Sequence, residues 1–362
     1  MAEPTATPAQ ILNSSADADC ALAQGSATPT RPPRERWLRR IHRLMGFAAL
    51  AQGLCWICAR WDWRLDLFSH FQTQGCLAAM LALAAALVSR PKRWAPALLW
   101  SAIIGAHATT LSVYWGPNPV LPDPQSPRRL KLVIANVLCG NPNRQAVADL
   151  IRREDPDIVG LVEVTADWLQ SLSEVRERYP HRIERTFLDA EFRGVALWSR
   201  QPFREERVAI EPIPGAWPVA WGQVDFNEAP LDVFLVHPSN PIRRGALNLP
   251  DRSSHSELTA LARISRLSRN ARIMAGDLNC SEGSPHFHDF LQISGLRDSR
   301  LGFGKQASWP IPLPLPSRIS IDHAFVSPEL AVVDRRLGPN VGSDHLPMII
   351  EIAPADRGPE PK

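Results

Sequence analysis

Between residues 44 and 115 the chain runs through three apolar stretches, parted only by short charged loops. They are "LMGFAALAQGLCWICA" (44–59), "FQTQGCLAAMLALAAALVS" (71–89) and "WAPALLWSAIIGAHATTLSVYW" (94–115). A helix that crosses a bilayer needs about 20 mostly apolar residues. The third run meets that length, the second nearly so, and the first is marginal unless residues 41–43 contribute by snorkelling. So dense a series predicts a three-helix membrane anchor over 37–116 rather than the core of a soluble bundle. Trp61, Trp63, Trp94 and Trp115 stand near the run ends, where an aromatic belt would place them. Cys55 and Cys58 form a CxxC inside the first run; with no second pair it reads as membrane packing, not as a zinc or redox site. His107, within the third run, reads as a helix–helix contact.

The basic residues set the expected orientation. Arg31, Arg34, Arg36, Arg39, Arg40 and Arg43 precede the first run, and Arg90, Lys92 and Arg93 fill the second loop. The positive-inside rule then puts the N-terminus and the second loop in the cytoplasm. Three crossings place everything after Trp115 on the other side, as expected of a multi-pass membrane protein with its C-terminal part outside the cytoplasm. Residues 1–36 are rich in Ala, Pro, Thr and Ser and lack a signal-peptide layout; they are expected to be disordered. The proline-rich stretch over 117–128 reads as a stiff linker.

Charge follows the same division. Residues 1–116 hold 11 Lys/Arg against 6 Asp/Glu, whereas 117–362 hold 29 against 31. A dedicated nucleic-acid binder usually carries a basic surface, so a near-neutral globular part weighs against that class. Its basic runs, "IRRG" (242–245) and "RISRLSRN" (263–270), read as solvated faces.

From residue 129 the pattern becomes that of one globular domain, 129–353, followed by a tail, 354–362. "LKLVIANV" and "DIVGLVEV" are nearly continuous apolar runs of buried strands, and "NRQAVADLIRRE" between them has helical spacing, with Asn143 as its N-cap. Strand-like runs follow in "HRIERTF", "GVALWSR", "ERVAIEP", "AWGQVDF" and "LDVFLVHP". "SELTALARISRL" is helical with Leu258, Leu261, Ile264 and Leu267 on one face; "RIMAGDLN", "SIDHAFVS" and "HLPMIIEIA" close the chain as strands. The mixture predicts an α/β fold of two mixed sheets packed face to face with helices outside.

Polar residues recur where these strands end. Asn136 ends the first, Glu163 the second and His237 "LDVFLVH"; Asp277 and Asn279 end "RIMAGDLN". Asp322 lies in "SIDHAF", and Asp344 and His345 open the last strand. Taken singly each has a plain reading: "GDLN" can be a turn and "SDH" the start of an element. Their repetition matters, because loops at strand ends are where sites are built.

The ordered set resembles the endonuclease/exonuclease/phosphatase superfamily, which includes DNase I-like nucleases, sphingomyelinases and inositol phosphatases. The likeness covers about residues 130–352 and is carried by "IANV", "DIVGLVEV", "GVALWSR", "LVHPSNP", "AGDLNCSEGSP", "SIDHAFVS" and "SDHLP". The anchor together with "GFGKQASWP" is similar to a bacterial membrane-anchored branch. The resemblance implies a four-layer α/β sandwich with its site at one mouth of the sheets, and Mg²⁺ as cofactor, with Mn²⁺ as the alternative. It implies Glu163 as the main metal ligand, with Asn136 beside it and Asp344 assisting. Asp277 would orient the attacking water and Asn279 bind a phosphoryl oxygen. Asp322 would fix the tautomer of His345, the general base or transition-state donor. His237 matches a histidine of DNase I-like and sphingomyelinase-like members and would serve as phosphate contact and general acid. Leu138 stands where many members carry an acidic residue, which implies a single metal. Ser320 stands where many carry arginine. Cys139 and Cys280 follow site residues and would be able to pair in an oxidising compartment.

The implied function is a metal-dependent phosphoesterase tethered to the membrane. Its partners are the lipid bilayer and a phosphoester: a lipid headgroup, a small phosphodiester or nucleic acid. The alternatives are a membrane-anchored nuclease acting on DNA and a non-catalytic tethered binding module. No protein partner follows from the sequence.

Overall fold

A computed structural model describes residues 33–356, apart from 90, 127, 188–192, 211–216 and 241–254. Most of the segment expected to be disordered, the "IRRG" run and most of the tail lie outside the described residues.

The region expected to anchor the chain consists of α1 (Pro33–Cys58), α2 (Trp63–Ser69), α3 (Gln72–Val88) and α4 (Trp94–Leu111), the last continued by a 3-10 turn, Ser112–Trp115. Two helices, Pro33–Cys58 and Trp94–Trp115, are long and apolar enough to cross a membrane. A third crossing exists only if α2 and α3, bent by 65° at their junction, count as one broken span. The first run is therefore the longest helix rather than a marginal one, because its arginine-rich approach is helical too. The loop before the second run carries α2, an element the apolar pattern did not predict; Asp62 caps it by accepting from the Arg64 N–H at 2.8 Å. The bundle packs on alanines, Ala49, Ala79, Ala82 and Ala86 among them, and a Cβ on Gly46 would come within 2.7 Å of the Trp100 ring. Small residues of this kind let membrane helices approach closely.

The globular part holds two six-stranded sheets. The first has the order β11-β12-β1-β2-β4-β3 and the second β5-β6-β7-β8-β10-β9. In chain order these are β1 (Leu130–Asn136), β2 (Ile158–Val162), β3 (His181–Arg185), β4 (Val195–Ser199), β5 (Glu205–Ile210) and β6 (Val219–Phe226). There follow β7 (Ala229–Val236), β8 (Ala271–Asp277), β9 (Arg297–Asp298), β10 (Asp322–Val326), β11 (Leu330–Leu337) and β12 (Met348–Pro354). Side chains alternate across a strand, so Leu132 and Ile134 face the inter-sheet core with Leu235, Ile273 and Ile350. Val133 and Ala135 face outward onto α5 (Arg144–Glu154) and the short helices α6 (Ala166–Ser171) and α7 (Ser173–Arg176). On the other side Phe234 and Met274 face α8 (His255–Leu267) and α9 (Pro285–Ser294). The result is the expected four-layer α/β sandwich.

Several local expectations are corrected. Asn143 occupies the N-cap position of α5 without a side-chain capping bond. Leu267 is 82% exposed, one turn beyond the packed face of α8. Asp344 and His345 do not open the last strand; they lie on the turn ahead of β12. Cys139 and Cys280 are both free thiols, and Cys280 packs in the core with Phe287.

One feature of the topology positions the site. Each sheet has a single parallel pair near its centre, β1 with β2 and β7 with β8. The carboxyl ends of all four strands therefore reach one mouth, the usual place for a ligand in α/β sheets. β10 runs antiparallel to β8, and its first residue, Asp322, stands opposite Asp277.

Candidate active site

Three of the four strands, β1, β2 and β8, deliver their polar residues to this mouth through strained exits. Leu138 (φ 57°), Glu163 (φ 62°) and Asn279 (φ 50°) all have left-handed backbones just beyond β1, β2 and β8. Such conformations are uncommon for residues other than glycine and collect at functional sites. Gly276, at φ 147°, lies where a Cβ would sit 1.8 Å from the Val236 carbonyl oxygen; only glycine lets β8 pass β7 before Asp277.

Of the eight residues singled out from the sequence, six line a cavity of about 440 Å³: Glu163, His237, Asp277, Asn279, Asp344 and His345. Asn136 and Asp322 are buried behind them and orient them. Asn136 Nδ2 donates to Glu163 Oε1 at 3.1 Å and to Asp277 Oδ2 at 3.0 Å. Its Oδ1 accepts the Leu138 N–H at 3.0 Å, which fixes the amide's orientation and leaves one lone pair for a further contact. Asp322 Oδ2 lies 2.9 Å from His345 Nδ1, and the other ring nitrogen is 3.6 Å from Asp277 Oδ2. Ser343 Oγ donates to the Asn136 carbonyl at 2.8 Å and accepts the His345 N–H at 3.1 Å, pinning the turn to β1.

The charges are strongly coupled. Burial pulls the His345 imidazole down, but Asp322 and Asp277 together raise it to about 10. Burial pushes the Asp277 carboxyl up to about 7, with His345 opposing and Asp322 adding to the push. Burial also pushes Asp322 up, yet His345 holds it below the usual carboxylate range. His237 Nε2 is 3.6 Å from Asp277 Oδ2 and 3.9 Å from Glu163 Oε1, and its ring meets Trp217 edge-on at 4.5 Å. Asn279 donates its N–H to Asp277 Oδ1 at 2.8 Å and its amide to the Pro238 carbonyl at 3.0 Å.

The donor set suits a hard divalent cation. Glu163 and Asp344 offer carboxylate oxygens to the cavity, and Mg²⁺ binds through one or two carboxylates while keeping several waters. Among the described residues two groups of three metal-capable side chains have ligand atoms within 4.8 Å of one another. In the first, Asp277, Asp322 and His345, the Asp322–His345 hydrogen bond already uses one ligand atom of each. In the second, His255, His286 and Asp289, both Asp289 oxygens are taken by Arg60 at 2.7 and 2.8 Å.

The site also contains residues that sequence reasoning missed. Trp309 donates its indole N–H to Asp344 Oδ2 at 3.0 Å; it lies in the "GFGKQASWP" motif, which was noticed without a role. Ser343 and Asn240 carried no signal of their own. Leu67, Phe68, His70 and Phe71, from the bend between α2 and α3, form one wall of the cavity. Arg335 is buried and donates to the Asp322 carbonyl at 3.2 Å.

Residues 133–345 match the model of the Endonuclease/Exonuclease/phosphatase family. No curated protein matches the chain. Among solved structures it is similar to D. rerio TDP2 complexed with a single-strand DNA product, at 18% identity and TM-score 0.50, over 62% of this chain and 98% of that one. It is also similar to a functionally unknown conserved protein from Enterococcus faecalis, at 18% identity and TM-score 0.49, over 62% and 100%. An endonuclease/exonuclease/phosphatase from Bacteroides vulgatus gives 16% identity and TM-score 0.49, over 63% and 99%. At these identities the likeness is one of fold.

Proposed function

Because the chain belongs to the Endonuclease/Exonuclease/phosphatase family, whose members are hydrolases acting on phosphoester bonds, we propose that it is a divalent-metal-dependent phosphoesterase tethered to a membrane. The observation that carries this reading is the buried Asp322–His345 pair at 2.9 Å, its free nitrogen turned toward Asp277 in a cavity that also holds Glu163. A bound Mg²⁺ or Mn²⁺ would be held by Glu163 and Asp344, with Asn136 bracing Glu163, and would polarise the phosphoryl oxygen. Asp277, with a carboxyl near 7, is suited to orient water and accept its proton as the new P–O bond forms. The protonated His345 donates to a phosphoryl oxygen, Asn279 binds another, and His237 returns a proton to the leaving oxygen as the old P–O bond breaks.

The full-length protein in detergent is expected to hydrolyse bis(p-nitrophenyl) phosphate with Mg²⁺ and to lose that activity with EDTA. Glu163→Gln should raise the Mg²⁺ concentration for half-maximal rate by about 10-fold or more, the scale seen when metal-site contacts are lost. Absence of hydrolysis with either metal across soluble diesters and monoesters would leave the tethered binding module as the better reading.

The orientation proposed is with the globular part outside the cytoplasm. Arg93 reaches His42 at 3.3 Å, so the basic loop and the arginine-rich start of α1 share one end of the bundle. Arg60, His70, Tyr114 and Asn118 touch the globular part from the other end. An alkaline phosphatase fused after Lys362 is expected to be active and a β-galactosidase fusion inactive; the reverse pattern would overturn this topology.

A further inference from the structure

We propose that the substrate is an amphiphile, a phosphoester headgroup carrying a hydrocarbon tail, which enters from the bilayer along the bend between α2 and α3. The proposal rests on the phosphoesterase reading of the same cavity and adds the chemical class of what fills it. The floor of the cavity is ionic, with Glu163, Asp277, Asp344 and His345. The wall supplied by the anchor is apolar. Leu67, Phe68 and Phe71 line the cavity together with Ile319 and Ile321 of the globular part. No Lys or Arg is among the described residues that line it. Ionic side chains beside apolar ones are the layout that fits a single phosphate carrying an apolar substituent.

The wall also continues outward. Phe68 is 58% exposed and Phe71 36%, so these two rings both line the cavity and reach the outer surface, and Trp61, 79% exposed, lies in the same stretch of chain. Aromatic side chains near the ends of membrane helices sit at a bilayer's headgroup boundary. The wall is held in place from the globular side. The Ser281 N–H, which can only donate, reaches His70 Nδ1 at 3.2 Å, so that nitrogen is the acceptor; Ser281 Oγ lies 2.9 Å from the same atom. Gln74 donates to the Pro316 carbonyl at 2.9 Å, tying the start of α3 to the loop that leads to Ile319. A headgroup held by the ionic side chains would have a path for its tail past Phe68 and Phe71 toward lipid.

The test uses the full chain in mixed micelles and two chromogenic diesters that differ only in tail, methyl p-nitrophenyl phosphate and dodecyl p-nitrophenyl phosphate. The expected result is a kcat/KM at least about 100-fold higher for the dodecyl ester, with Phe68→Asp reducing that ratio about 10-fold. Equal rates on the two esters would overturn the proposal. So would a ratio untouched by Phe68→Asp, which would assign the gain to micelle partition alone, or faster cleavage of a single-stranded oligonucleotide than of the dodecyl ester. Hydrolysis of neither ester, and of no other phosphoester, would instead fell the phosphoesterase reading on which the proposal stands.

Discussion

His345→Ala is expected to lower kcat on bis(p-nitrophenyl) phosphate by about 10³-fold, within the range that positioned acid–base groups contribute, with a smaller change in KM. The ring is held by Asp322 on one side and faces Asp277 on the other, at 2.9 and 3.6 Å. Removing it takes away the proposed donor to the phosphoryl group and the positive charge between two buried carboxylates. Asp322→Asn should keep the shape and lose the charge that raises His345. Activity that needs protonated His345 would then fall at lower pH than in the parent. Stability gives an independent readout. The imidazole is raised from 6.5 to about 10, so its contribution is complete below about pH 6.5 and is lost as pH rises through about 10. In EDTA-treated protein the thermal midpoint should fall across that window, and His345→Ala should remove the slope. A variant retaining parental kcat would show that the chemistry lies elsewhere in the cavity.

Arg300→Met is expected to cost about 3–5 kcal/mol, the scale for breaking one partner out of a buried ion cluster. Arg300 is fully buried and bonds Asp298 at 2.6 Å, Glu282 at 2.8 Å and the Tyr114 hydroxyl at 3.1 Å. Burial pushes both carboxyls up, but Arg300 holds Asp298, and Lys305 with Arg300 holds Glu282, below the usual range. Methionine fills a comparable volume but leaves these charges without their common partner. For a globular part of this size the loss corresponds to roughly a 10 °C fall in thermal midpoint, measurable by intrinsic tryptophan fluorescence in detergent. A shift within about 2 °C would mean that Lys305 alone balances the cluster, contrary to the geometry described.

How far the sequence disclosed this architecture depended on the type of signal. Asn136, Glu163 and Asp277 stood out because apolar runs stop at them, and an interruption of hydrophobic patterning is visible without coordinates. The order of the motifs carried the sandwich, since two parallel pairs with helical crossovers bring those ends together. β11 was missed because "LAVVDRRL" puts Arg335 in the interior of the fold, where charge disguises a strand. α2 was missed because its order comes from distant contacts. "WRLDLFS" is short and charged, and it is ordered by contacts with residues more than 200 positions away, such as Ser281 with the adjoining His70. The left-handed backbones at Leu138 and Glu163 had no marker, because neither residue type advertises them.

The contacts between anchor and globular part have a further consequence. Tyr114 completes the Arg300 cluster, Thr73 accepts from Lys305, and His70 receives Ser281, so the helices supply parts to the layer that would otherwise be taken for an independent unit. A protease that cut within residues 116–128 would not release a finished soluble enzyme. A fragment freed of the helices would have an opened buried ion cluster and one side of its cavity missing, so such a cut is expected to abolish the proposed phosphoesterase activity rather than release it.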